Sequence, residues 1–136
     1  MPVGETTLSE QIPGYVLGLN LGSDPISAAQ QRPSMLITGG HHARELTTIS
    51  MSVYTIMRLL YDVVHQDANT MYLLQNTAVL IVPVVNWDGY VKISDHYEAT
   101  DEMYWIRKNR NQYSSQTSAN CGIQNIGVDL NRNYDY

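Results

Sequence analysis

The segment SMLITGGHHARELTTISMSVYTIMRLL (34–60) decides the fold class of this chain. It begins with a short apolar run that is typical of a strand and that ends at two glycines, which let the backbone turn sharply. From about residue 44 to about residue 64, apolar residues recur at spacings of three and four, which predicts an amphipathic helix. The predicted apolar face consists of Ile49, Val53, Ile56, Leu60 and Val63.

The flanking sequence extends this strand–helix pair into an α/β domain. GYVLGLNLG (14–22) alternates as a strand does, and TAVLIVPVVN (77–86) predicts a buried strand. Asp67 is predicted to cap a second helix over residues 68–75. Because a helical crossover returns a parallel strand, this order of elements predicts a mixed or parallel sheet with flanking helices. Elsewhere we expect a turn at Trp87-Asp88-Gly89, a helical turn within 101–108 and a polar loop over 111–122.

Composition limits the classes of function. The 136 residues are 43% hydrophobic, carry a formal net charge of −5 at pH 7 and include only 8 Lys and Arg residues. A chain with so little positive charge lacks the basic field that binds nucleic acid or anionic lipid. No stretch reaches the roughly 18 apolar residues of a membrane span, and the N-terminus has no signal-peptide pattern. We therefore expect a soluble protein with no nucleic-acid or membrane partner, and composition leaves its oligomeric state open.

Three short segments carry side chains that are suited to chemistry. His42 and Glu45 are spaced i, i+3 and His41 and Glu45 are spaced i, i+4, so either histidine can meet the glutamate at a helix start. Imidazole and carboxylate are both zinc ligands, but such a pair is also common at a solvated helix start. The composition of WIRKNR (105–110) is more typical of a basic, solvated helix end than of a site. DLNRN (129–133) can bind a carboxylate through its arginine and asparagine, or form an Asx-rich turn. The residues alone leave these alternatives open.

The order of these segments resembles one family. HHARE (41–45), NWDG (86–89), WIRKNR (105–110) and GVDLNRN (127–133) follow one another as they do in zinc carboxypeptidases of the carboxypeptidase A and B type. The resemblance runs from about Gly14 to Tyr136. It implies that residues 1–136 form a truncated carboxypeptidase-like α/β domain, the N-terminal part of the catalytic domain without its C-terminal half.

The resemblance also implies a role for each matching residue. In the family, the histidine and glutamate of H-x-x-E bind the catalytic Zn²⁺, which corresponds to His42 and Glu45 and leaves His41 as a neighbour in the loop. The arginine that stabilises the oxyanion corresponds to Arg107. The remaining assignments are Asn131 and Arg132 to the C-terminal carboxylate of the substrate, Arg44 to a more distant substrate contact, and Asp129 to orientation of the histidine ligand.

The activity that the resemblance implies is metal-assisted release of C-terminal amino acids from peptides, in a secreted or digestive compartment. The third zinc ligand, the general base and the specificity pocket are expected beyond residue 136, so we expect this chain alone to be an inactive fragment. Two alternatives remain. One is a non-catalytic relative or binding module, and the other is an H-x-x-E amidohydrolase acting on acylated amino acids.

Overall fold

The computed structural model describes residues 31–110 and 127–135, together with the backbone of residues 17–19. The predicted loop over 111–122, including Cys121, lies outside these ranges. None of the helices in the described ranges combines the length and the apolarity that a membrane span requires. The strands are β1 (Leu17–Leu19), β2 (Ser34–Thr38) and β3 (Ala78–Val82). The helices are α1 (Leu46–Val64), α2 (Ala68–Asn76) and α3 (Trp87–Thr100), and a 3-10 turn spans Leu130–Arg132.

The three strands form a mixed sheet in the order β1-β3-β2. β2 runs parallel to β3, with Ser34 opposite Ala78 and Thr38 opposite Val82, whereas β1 runs antiparallel to β3. The chain passes from β2 to β3 through α1 and α2, and a helical crossover of this kind returns the next strand in the same direction. The prediction of a partial mixed sheet with flanking helices is confirmed.

The buried face of α1 differs in part from the predicted one. Ile56 and Val63 pack against the apolar cluster that β3 and α2 form, as predicted. Val53 and Leu60, however, are 42% and 48% exposed, and Ser52 is buried instead. Apolar residues lie on nearly every side of α1, so their spacing could not select the face that meets the sheet.

The predicted start of α2 is confirmed. The Asp67 side chain accepts a hydrogen bond from the backbone N–H of Thr70 at 2.9 Å, which is the geometry of a helix N-cap. This backbone hydrogen bond also lowers the pKa of Asp67 below its ordinary value, because it stabilises the ionised carboxylate.

The turn predicted at Trp87-Asp88-Gly89 is wrong, because these residues begin α3. The Asn86 side-chain oxygen accepts from the backbone N–H of Gly89 at 3.1 Å and thereby caps the helix. Asp88 lies in the first turn, where a negative charge is favourable beside the helix dipole.

The predicted helical turn within residues 101–108 is also wrong. The helix ends earlier, at Thr100, and Asp101 follows it with a φ of 58°. That left-handed conformation is typical of a helix end, and residues 101–108 are irregular.

Candidate metal centre

The candidate site lies at the carboxyl ends of the two parallel strands. Residues 39–45 follow β2 and form what we call the metal loop, and residues 83–86 follow β3. The N–H of Val85 donates to the carbonyl of Gly39 at 2.9 Å, which joins the two segments. Gly40 turns the chain into the metal loop with a φ of 62°, a conformation that favours glycine. This edge of an open α/β sheet is where ligands commonly bind.

His42 is buried, and each of its ring nitrogens faces a carboxylate. Nδ1 lies 2.9 Å from Glu45 Oε1, and Nε2 lies 3.1 Å from Asp129 Oδ1. The Glu45 side chain is 45% exposed and that of Asp129 is 18% exposed, so Glu45 is on the solvent side of the imidazole. Both carboxylates can accept from the ring, so either nitrogen of His42 can carry the proton. A metal held together with Glu45 would bind Nδ1, and Asp129 would then accept from Nε2.

The start of α1 aims Glu45 at His42. Glu45 occupies the N-cap position, one residue before the helix, and makes no cap hydrogen bond with its side chain. The helix predicted from about residue 44 thus begins at Leu46, directly after Glu45. The Thr48 hydroxyl fixes this turn, since it donates to the carbonyl of Glu45 at 2.7 Å and accepts from the N–H of Gly40 at 2.9 Å.

Arg107 joins the site through Asp129. Its Nε donates to Asp129 Oδ2 at 2.7 Å, while its Nη1 lies 3.9 Å from Glu45 Oε1, an ion-pair distance that is too long for a hydrogen bond. The Arg107 hydrogen bond, with a smaller contribution from His42, outweighs desolvation and lowers the pKa of Asp129 from 3.8 to about 2. One carboxylate therefore holds both the histidine and the arginine in place.

Asp129 should stabilise the metal-free chain in a defined pH window. Its folded pKa is below its unfolded pKa, so the contribution is complete above the unfolded value of 3.8 and is lost as the pH falls toward about 2. We expect the difference in Tm between the native chain and Asp129→Asn to be constant from about pH 7 to about pH 5 and to narrow below about pH 4. Circular dichroism melts at successive pH values measure this difference. The control is Asp95→Asn, an exposed position on α3. If the difference in Tm between the native chain and this control narrowed equally at low pH, the assignment of the effect to Asp129 would be contradicted.

Asn131 and Arg132 lie in the 3-10 turn that Asp129 begins. Asp129 Oδ1 accepts from the N–H of Asn131 at 3.1 Å, so the segment does form an Asx-type turn. Both side chains are exposed, and Arg132 Nη1 donates to the carbonyl of Asn131 at 2.7 Å. Arg44 is half-buried, with its N–H bonded to the carbonyl of Ile106. Arg44 follows His42 closely in the sequence, as Asn131 and Arg132 follow Asp129. The substrate roles of these three residues stay predictions.

The other described histidines contact tyrosines. His41 Nε2 lies 2.6 Å from the Tyr134 hydroxyl, His65 stacks on Tyr61, and His96 packs against Tyr104. Within residues 31–110 and 127–135, no group of three or more His, Cys, Asp or Glu side chains is arranged to hold a metal. The imidazole and carboxylate of His42 and Glu45 fit zinc as two of its ligands, and this part of the chain supplies no third.

Two residues that organise the site had no predicted role. Asn86 is 2% exposed and donates hydrogen bonds to the carbonyl of His41, in the metal loop, and to the carbonyl of Arg107. Gly127 has a φ of 102° and lies against the backbone of Asn109, which sets the approach of Asp129 to Arg107. The available signal for Asn86 was a polar residue directly after the apolar run over 78–85, whereas nothing local in the sequence distinguishes Gly127.

The match to known proteins covers nearly the whole chain. The family model described as zinc carboxypeptidase matches residues 12–136. The chain belongs to the zinc carboxypeptidase family. The predicted resemblance is confirmed, and with it the description of the sheet and helices as part of a carboxypeptidase-like α/β fold.

Individual relatives are longer than this chain. Carboxypeptidase B of Helicoverpa zea is 35% identical over 107 residues, which is 79% of this chain and 21% of that protein. The inactive metallocarboxypeptidase ecm14 of Sclerotinia sclerotiorum is 29% identical over 134 residues, which is 98% of this chain and 20% of that protein. A crystal structure of thrombin-activatable fibrinolysis inhibitor superposes with a TM-score of 0.70 at 29% identity, over 98% of this chain and 28% of that one. The chain thus spans between a fifth and about three tenths of the length of these relatives.

Proposed function

We propose that His42, Glu45, Arg107 and Asp129 are part of the active centre of a zinc carboxypeptidase that removes C-terminal amino acids from peptides. The observation that carries the proposal is the position of His42 between Glu45 and Asp129, with Arg107 bonded to the same Asp129. His42 Nδ1 and Glu45 would hold the zinc. A bound zinc supplies Lewis-acid activation of water and of the scissile carbonyl.

Asp129 and Arg107 act together in this proposal. With zinc on Nδ1, Asp129 would keep the proton on His42 Nε2, and it fixes the guanidinium of Arg107 through Nε. Nη1 of Arg107 then lies on the side of Glu45, 3.9 Å from Oε1, where negative charge would develop on the substrate oxygen. Donors that are fixed before the reaction stabilise such an oxyanion by about 2.7–4 kcal/mol.

Asn131 and Arg132 are proposed to bind the free carboxylate of the substrate. Both side chains are exposed on the 3-10 turn, and a guanidinium can give a carboxylate two parallel hydrogen bonds. A site that requires this carboxylate removes residues only from the C-terminus. Arg44, on the metal loop, is proposed to contact the substrate further from the scissile bond.

The 136-residue chain on its own is proposed to be inactive. Catalytic zinc sites use three protein ligands and keep one position open, whereas the described residues provide two ligands. The substrates and activity therefore belong to the complete product of the reading frame that encodes these residues.

The test uses that complete product and three substrates: a blocked dipeptide with a free carboxylate, its C-terminal amide, and an acyl-aspartate. We expect hydrolysis only of the blocked dipeptide with the free carboxylate. Chelation should abolish this hydrolysis, and added zinc should restore it. Arg132→Ala should raise KM at least about tenfold with a smaller change in kcat, because it removes carboxylate binding. Arg58→Ala, on the exposed side of α1, is the matched arginine control. Equal hydrolysis of the amide contradicts an exopeptidase, and a preference for acyl-aspartate supports the amidohydrolase.

A non-catalytic relative is the second candidate, and the similarity to an inactive metallocarboxypeptidase favours it. In that case the complete product hydrolyses none of the three substrates but still binds the free-acid dipeptide. Calorimetry of the native product measures this binding, and the same measurement with Arg132→Ala shows whether it depends on Arg132.

A further inference from the structure

Asn86 lies where three segments of the described structure meet. Its side-chain Oδ1 accepts from the N–H of Gly89, at the start of α3. Its Nδ2 donates to the carbonyl of His41 at 3.3 Å and to that of Arg107 at 3.4 Å. With 2% of its surface exposed it is more buried than His42, and both of its polar atoms have protein partners. A buried amide is tolerated because its polar atoms are satisfied in this way.

The two carbonyls belong to the segments that carry the proposed zinc ligands and the oxyanion arginine. A short backbone pairing runs beside them, because Ala43 N–H donates to the carbonyl of Arg107 at 3.3 Å and Arg44 N–H donates to that of Ile106 at 2.9 Å. Several of these bonds are long, so each one alone is weak. The side chain of Asn86 adds a second connection between the same two segments.

Close packing leaves Asn86 little room to move. A Cβ at Gly89 would lie 2.7 Å from the Ala43 Cβ and 2.8 Å from Asn86 Oδ1, so the first turn of α3 lies directly on the metal loop. Ala43, Ile93 and Ile106 form a buried cluster that joins the metal loop, α3 and the segment before Arg107. The Asn86 amide is therefore held by a rigid surround, and a rigid group can set the positions of its partners.

We propose that Asn86 is a positioning residue that holds the metal loop and the Arg107 segment at a fixed separation. The proposal rests on the proposed function, since the separation matters for the alignment of Arg107 Nη1 with Glu45, now 3.9 Å apart. Asn86 acts through the carbonyls of His41 and Arg107, and in the described structure its side chain makes no hydrogen bond to the side chains of the proposed metal ligands. Its role is distinct from that of Asp129, which joins the same segments through side chains.

The substitution Asn86→Asp separates positioning from helix capping. Aspartate caps a helix as well as asparagine, so the bond to Gly89 is kept, but its second oxygen would face two carbonyl oxygens that need a donor. Hydrogen exchange of the metal-free 136-residue chain is the measurement. We expect the amides of Ala43 and Arg44 to exchange about tenfold faster, equivalent to about 1.4 kcal/mol, while the amides of α3 keep their protection.

A second readout follows Arg107 itself. The Nε–H of Arg107 gives a side-chain NMR signal that Arg107→Lys identifies by its loss. In Asn86→Asp this signal is expected to shift and to exchange faster, because the Arg107 segment moves relative to Asp129. Asp67→Ala, which removes the equivalent cap of α2, is the control and should leave the Arg107 signal unchanged.

Each outcome decides the proposal. If Asn86→Asp leaves the Ala43 and Arg44 exchange within about twofold of the native chain and the Arg107 signal unmoved, Asn86 only caps α3 and the proposal is overturned. If Asn86→Asp loses protection everywhere, Asn86→Ser decides, since serine caps without a charge and is too short to bridge the carbonyls. Loss confined to the metal loop and Arg107 segment then supports positioning, and uniform loss overturns it. Neither readout needs zinc or substrate, so failure of the proposed function leaves this test intact.

Discussion

His42→Ala is expected to weaken zinc binding at least about 100-fold, whereas His41→Ala should change it by less than about threefold. The two histidines are adjacent in sequence but face different partners. His42 is buried with Nδ1 beside Glu45, and His41 reaches the Tyr134 hydroxyl at the surface. Removal of His42 takes away one of the two proposed ligands and leaves Glu45 without its partner, while removal of His41 leaves both.

Competition between the protein and a zinc-binding dye measures these affinities, in the 136-residue chain and in the complete product. Because both substitutions remove an imidazole from the same loop, a general effect on folding or on charge appears equally in each. The assignment is contradicted if His41→Ala weakens binding as much as His42→Ala does. Equal zinc affinity of the native chain and both variants would show that the metal loop does not bind zinc.

A contact between Glu45 and a histidine of the metal loop could be predicted from sequence because its geometry is local, and the resemblance selected His42 over His41. A spacing of i, i+3 at the entry to a helix brings two side chains together whatever the rest of the fold does. The contact between His42 and Asp129 joins residues 87 positions apart, and no spacing rule reaches that far. That part of the site was available only through the resemblance to zinc carboxypeptidases.

The missed helix α3 shows a different limit. Asp88-Gly89 is a common turn signal, and here the Asn86 cap and the packing of Ile93 against Ala43 outweigh it. Glycine at position 89 serves the close approach of the helix to the metal loop rather than a turn. Tertiary contacts of this kind decide between two local readings of the same residues, and they are absent from a single sequence.

Gly127→Ala is expected to lower the free energy of unfolding by about 3 kcal/mol or more, because it displaces Asp129 from Arg107. The φ of 102° at Gly127 is a conformation that alanine rarely adopts, and an added Cβ would overlap the carbonyl oxygen of Asn109. Asn109 pairs with Val128 through two hydrogen bonds, of 3.0 Å from its N–H and 2.8 Å to its side-chain oxygen. Both must lengthen if the backbones separate, and Asp129 is the next residue along the chain.

A double-mutant cycle shows whether this loss reaches the site. Asp129→Asn is expected to destabilise the native chain near pH 7, where the depressed pKa of Asp129 gives its full contribution. In the Gly127→Ala background the same substitution should have almost no effect, since Asp129 would already be displaced from Arg107 and His42. Urea unfolding of the four proteins measures the coupling, with Asn133→Ala, an exposed change in the same segment, in place of Gly127→Ala as the control background. If Asp129→Asn has an undiminished effect in the Gly127→Ala background, Arg107 and His42 hold Asp129 without the Gly127 contact. In that case the side-chain bonds of Asp129, and not the backbone at Gly127, position this segment.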